Sequence, residues 1–109
     1  MRDDEARVQD IVETCDQLIE HIGADRDRFD SDPVAQAAAQ RWLEVIGEAA
    51  ARLSSDFKRE HPDVAWRDLV GMRNILAHGY FHVDRDVMWN AITRDVPRLR
   101  KSLMPPAEG

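Results

Sequence analysis

The chain has 109 residues, 43% hydrophobic and 33% charged, which fits one globular domain and excludes a disordered chain. Its 21 acids and 15 bases give a net charge of −6, a field that would repel nucleic acid if it were spread evenly. One cysteine, Cys15, excludes an intrachain disulfide framework and a multi-cysteine zinc site.

Val8, Ile11, Val12, Cys15, Leu18, Ile19 and Ile22 fall at helical steps and predict a helix over 4–22, stopped by Gly23. Cys15 lies on that apolar stripe, so a buried core thiol is expected. The start Met1–Glu5 is acidic and polar, unlike a signal peptide, and no apolar run nears the roughly 20 residues of a membrane helix. A cytoplasmic location without membrane attachment is the expectation. Residues 23–30 read as a loop. Asp32 as N-cap and Pro33 at the first helical position then open a helix over 33–53. Its expected inner stripe is Ala38, Trp42, Val45, Ile46, Ala49 and Leu53. Gly47 interrupts it at a cost of about 1 kcal/mol relative to alanine. A close backbone approach to another helix would explain the glycine.

Ser54-Ser55-Asp56 caps a short turn over 55–60, which ends before Pro62. Asp63 is expected to cap a helix over 64–77, with Trp66, Leu69, Met72, Ile75 and Leu76 inward. Asp84 is expected to cap a last helix over 85–103, with Met88, Ile92, Val96, Leu99 and Leu103 facing the core. Pro97 should kink that helix near Arg94 or remove a backbone bond. Trp89 lies one position off the stripe, which suits partial exposure at an interface. With no strand-period alternation and no repeat, the fold class is all-α. It is an antiparallel bundle of four to five helices, one domain over 1–104 with 105–109 as a disordered tail. So small a core favours oligomerisation.

The charge is uneven. Residues 1–36 carry 11 acids and 4 bases, whereas 37–109 carry 10 acids and 11 bases. The near-neutral part holds the most unusual segment, Met72-Arg73-Asn74-Ile75-Leu76-Ala77-His78-Gly79-Tyr80. Asn74 and His78 are four apart and share a helix face. These residue types suit cleavage of an RNA phosphodiester. The ribose 2′-OH is the nucleophile, so no metal is strictly needed. A histidine can move the proton, and an arginine can hold the phosphate. One histidine does not readily serve as both base and acid, so the mechanism points to a two-fold dimer with a composite cleft. Arg73 and His78 also fit a plainer role as a surface ion-pair partner and a helix-capping residue. His78 and His82 have a metal-ligand spacing, but Gly79 breaks the helix between them, and no metal site is expected. His61 reads as a loop residue and His21 as a favourable charge at a helix C-terminus. Glu44 and Glu48 read as a solvated face, or alternatively as carboxylates facing Arg73. No phosphate-cradling glycine loop or serine elbow is present.

Arg73-x-x-x-x-His78-x-Tyr80, within GMRNILAHGYF, resembles the R-x(4–6)-H-x-Y signature of HepT-like toxins, a branch of the HEPN-domain proteins. The segments Trp42–Ala49 (WLEVIGEA), His61-Pro62 with Trp66, and Val83-Asp84 through Trp89 to Leu99 are similar to that family as well, over roughly 5–103. The resemblance implies a HEPN-like homodimer and a metal-independent endoribonuclease without cofactor. It implies the toxin of a type VII-like toxin–antitoxin system, with an MntA-like nucleotidyltransferase as antitoxin. By resemblance, Arg73 and His78 are catalytic, Asn74 orients them, and Tyr80 is the tyrosine that receives AMP. Bulky anionic AMP there would block and repel RNA. The competing expectation is a catalytically silent accessory subunit of a nucleotidyltransferase. The acidic first helix reads as surface without a motif.

Overall fold

Asp32 caps a long helix as its spacing with Pro33 predicts: its carboxylate accepts from the backbone N–H of Val34 at 3.0 Å and of Ala35 at 3.2 Å. The computed structural model describes residues 2–78 and 85–104. Within them the chain is all-α, without a strand. The elements are α1 (Arg2–Ile22), α2 (Arg26–Ser31), α3 (Pro33–Arg52), α4 (Ser55–Glu60), α5 (Trp66–His78) and α6 (Arg85–Asn90). A π-helical segment (Ala91–Asp95) and α7 (Val96–Leu103) follow. The expected tail, 105–109, lies outside the described residues, as does Asp84.

α3 is the central element, packed against α1 on one side and α5 on the other. This position explains a difference from the expected stripe. Ala39, Leu43, Ile46, Gly47, Ala49 and Ala50 are the buried residues of α3, while Trp42 and Val45 are only half-buried. A helix with two neighbours buries a wide arc, and a single stripe drawn from spacing underestimates it. The neighbours run antiparallel to α3. Asp4, at the start of α1, bonds Ser54 beyond the end of α3. On the other side Gln40 meets Leu76, and Gly47 meets Leu69 and Arg73.

α1 buries Ile11, Cys15, Leu18 and Ile22, and stops at Gly23, whose φ of +67° is the left-handed cap conformation. Ile19, on the expected stripe, is exposed. Burial pushes the Cys15 thiol up to about 12, which keeps it protonated and unreactive. The first turn of α1 is not featureless surface. Asp4 is buried and accepts the Ser54 hydroxyl at 2.6 Å and the Ser54 N–H at 3.0 Å. These two bonds, the hydroxyl one foremost, hold its carboxyl below the usual aspartate range. The same hydroxyl oxygen accepts from the Phe57 N–H at 3.1 Å and caps α4.

The expected loop over 23–30 contains α2. Asp25 caps it by accepting from the Arg28 N–H at 3.1 Å, and Phe29 anchors it in the core. One buried aromatic in six residues leaves no periodicity to read. α5 begins at Trp66 rather than at 64, because Asp63 does not cap it: its carboxylate accepts from Ser102 on α7. Trp66 donates its indole N–H to the His61 carbonyl at 3.0 Å and meets Phe57 edge-on. Of the five residues expected inward on α5, Leu69, Met72 and Leu76 are buried and Trp66 is half-buried. Ile75 is instead 58% exposed. α5 packs chiefly on α3, so the far edge of its apolar arc has no cover.

The final helical stretch buries Met88, Ile92, Val96, Leu99 and Leu103 as expected. Pro97 cannot donate to the carbonyl four residues before it. The backbone widens ahead of it: the Val96 N–H reaches the Ala91 carbonyl, five residues back. Trp89 is half-buried against Phe29 at 5.4 Å, with the Arg26 guanidinium over its ring at 5.7 Å. Arg26 also binds Asp30 and Asp86. α7 is tied to α1 by the Arg100–Asp16 ion pair. No described helix is long and apolar enough to cross a membrane.

Candidate functional site

Arg73 leaves α5 five residues before the helix ends at His78. Its Cβ and Cγ lie against α3, opposite Gly47. Its guanidinium turns to the next residue along: Nε and Nη2 donate to Asn74 Oδ1 at 3.4 and 3.1 Å. Asn74 itself is exposed. Among the described residues Arg73 has no carboxylate partner. A guanidinium at the surface, held by a neutral amide and without a carboxylate partner among the described residues, is suited to an anionic ligand.

Arg73 and Asn74 are thus in contact, and the backbone of His78 closes the same helix. The His78 side chain, Tyr80 and His82 lie outside what is described. Glu44 and Glu48 do not reach Arg73. Glu44 accepts from Arg41 on its own helix at 3.4 Å, and Glu48 is exposed. His21 stacks on Trp42 at 5.8 Å, and His61 stacks on Phe57 at 4.5 Å with its Nδ1 3.3 Å from Ser102 Oγ. Both rings have structural partners away from Arg73. Among the described residues no three histidine, cysteine or acidic side chains are grouped to hold a metal ion.

On the opposite side of α5 a groove of about 370 Å³ runs beside Arg67, Asp68, Ile75, Val87 and Asp95. Burial pushes the Asp95 carboxyl up, and nearby Asp68 adds to the shift. The exposed Ile75 and Val87 give its edge an apolar character.

Two α3 residues support the site: Gly47, whose expected close approach to another helix is found against Leu69 and Arg73 of α5, and Gln40, which was missed in the sequence. Gly47 carried a signal, since a glycine inside a long helix needs a reason. Gln40 carried none. Its side-chain amide donates to the Leu76 carbonyl in the last turns of α5, 3.4 Å away.

Residues 11–105 match the model of the family described as "Ribonuclease HepT-like". The chain is 37% identical over 103 residues to "Putative RNase MJ1380" of Methanocaldococcus jannaschii, covering 94% of each chain. It is 40% identical over 95 residues to "Probable ribonuclease HepT" of Thermococcus cleftensis, covering 85% of this chain and 86% of that one. No solved structure matches significantly.

Proposed function

The chain belongs to the HepT-like ribonuclease family, and on that premise we propose that it is a metal-independent endoribonuclease acting as the toxin of a toxin–antitoxin pair. The observation that carries the reading is Arg73: a guanidinium fixed by Asn74, without a carboxylate partner among the described residues, on the helix that ends at His78. In the proposed reaction the ribose 2′-OH attacks the adjacent phosphorus while a histidine takes its proton. The bond from phosphorus to the 5′-oxygen breaks, and that oxygen receives a proton from a second group. The products are a 2′,3′-cyclic phosphate and a free 5′-hydroxyl. Arg73 stabilises the charge that grows on the phosphate oxygens. The base and the acid are His78 from each of two copies, which makes the working unit a homodimer. Exposed Ile75 and Val87 offer apolar surface beside α5 for such a contact.

The partner in this reading is a nucleotidyltransferase antitoxin that adds AMP to Tyr80. The added phosphate would place negative charge beside the Arg73 cleft and repel RNA. The Tyr80 assignment is supported by the resemblance of Arg73-x-x-x-x-His78-x-Tyr80 to the signature of HepT-like toxins.

The test is cleavage of a defined RNA in excess EDTA. Wild type is expected to cut. Arg73→Ala and His78→Ala are expected to lose roughly 100-fold or more, as on removing one charge-stabilising donor, with unchanged helical circular dichroism. Equal cutting by His78→Ala removes that residue from the mechanism. No cutting by wild type at any concentration favours the silent accessory subunit instead.

A further inference from the structure

Arg73 is located by the absence of a side chain on α3. Gly47 faces α5, and a Cβ built there would lie 2.5 Å from Arg73 Cβ, 3.2 Å from Arg73 Cγ and 3.0 Å from the Leu69 carbonyl oxygen. None of the three is the free end of a flexible chain. Two are the base of the Arg73 side chain, and the third is the backbone of α5. Carbon atoms in contact sit at about 3.5–4.0 Å, so a methyl at position 47 must displace α5 by roughly 1 Å. Two turns earlier on α3, Gln40 holds the Leu76 carbonyl at 3.4 Å. Leu76 lies two residues before His78, at the described end of α5. Gly47 and Gln40 therefore fix the height of α5 on α3 at two levels, one at Arg73 and one just before His78. Gly71, also on α5, has nothing within 4 Å of its would-be Cβ. The tight fit belongs to the seam and is not a property of every glycine in these helices.

We infer that Gly47, assisted by Gln40, is a positioning residue of the cleavage site: it seats the Arg73 segment of α5 directly on α3 and so sets where the guanidinium meets an RNA phosphate. The inference rests on the reading of Arg73 as the phosphate-holding group.

Gly47→Ala tests it through two readouts. The first is the arginine Nε–H spectrum, with the Arg73 resonance identified by its loss in Arg73→Ala. The second is the steady-state kinetics of RNA cleavage. In a Gly47→Ala protein with wild-type circular dichroism, the Arg73 resonance is expected to move. kcat/KM is expected to fall about 100-fold, mostly in kcat, as a misplacement of roughly 1 Å can do. Gly71→Ala is expected to leave the Arg73 resonance in place. An unmoved resonance in Gly47→Ala overturns the inference, and so does cleavage within about twofold of wild type. If Gly47→Ala does not fold, Gln40→Ala decides, because it adds no atoms. A loss of about fivefold, equivalent to one modest hydrogen bond, supports the inference, and an unchanged rate overturns it. If wild type cuts no RNA, the ribonuclease reading falls and the resonance alone decides: movement in Gly47→Ala upholds the placement of Arg73 by Gly47, and no movement overturns it.

Discussion

The seam between α3 and α1 is a hydrophobic interlock closed by a polar clip, whereas the seam between α3 and α5 is a backbone approach that one methyl would block. On the α1 side Ile11, Cys15 and Leu18 are fully buried, and Asp4 clasps Ser54 at the open end. On the α5 side Gly47 leaves no room for a side chain, and Arg73 stands against it. The first seam is built for stability and the second for placement. Damage to the first should cost folding free energy without disturbing the site. Damage to the second should disturb the site out of proportion to its effect on folding.

Leu18→Ala presses hardest on that division. It is expected to lower the unfolding free energy by about 2–5 kcal/mol, measured by urea denaturation. Cleavage per folded molecule should stay within about twofold, since distant sites act nearly independently. A large drop in rate at full folding would show that the two seams are coupled through α3. Ser54→Ala is expected to cost about 1–2 kcal/mol by removing the cap of α4 and a donor to Asp4. The pH dependence follows from Asp4. Its folded-state carboxyl lies below the usual aspartate range, so its contribution is complete above that range and is lost as pH falls through the lower folded value. Asp4→Asn should therefore flatten the acid limb of a stability–pH profile below about pH 4 and leave the neutral limb unchanged in slope. The smallest effect is expected from Gly71→Ala, which meets open space. It should stabilise by about 0.4–1 kcal/mol through the unfolded chain, read as a small rise in Tm. A loss of stability there would mean that the far side of α5 is more tightly covered than its open surroundings indicate.

Much of the bundle could be read from local chemistry. Asp32-Pro33, Ser54 and Gly23 mark helix ends because capping is decided within a few residues. The apolar stripe ending at Leu103 is equally local, and Pro97 announces a disturbed backbone. What escaped was decided at long range. Asp63 looks like a cap and is engaged by Ser102, 39 residues away. α2 depends on Phe29 finding the core. Ile75 fits the apolar period of α5 and is nevertheless uncovered. The candidate site divides in the same way. Arg73, Asn74 and His78 are legible because they sit within one short stretch of helix. Gln40, which supports that stretch, is 36 residues from its partner and has no signature of its own. Gly47 was legible as a helix that tolerates a gap, but not as a gap shaped for Arg73.

The clasp between Asp4 and Ser54 also sets an order of events at synthesis. The two residues are 50 apart in the chain, and at typical translation speeds Ser54 is added roughly 3–10 s after Asp4. During that interval α1 has neither its clasp nor α3, and a lone helix of its length is marginal in water. Its apolar stripe must wait for the middle of the chain. α1 is thus unsecured until the chain has grown through α3 to Ser54, and the nascent protein passes through a stage in which α1 is open to chaperones or to pairing with a neighbouring chain.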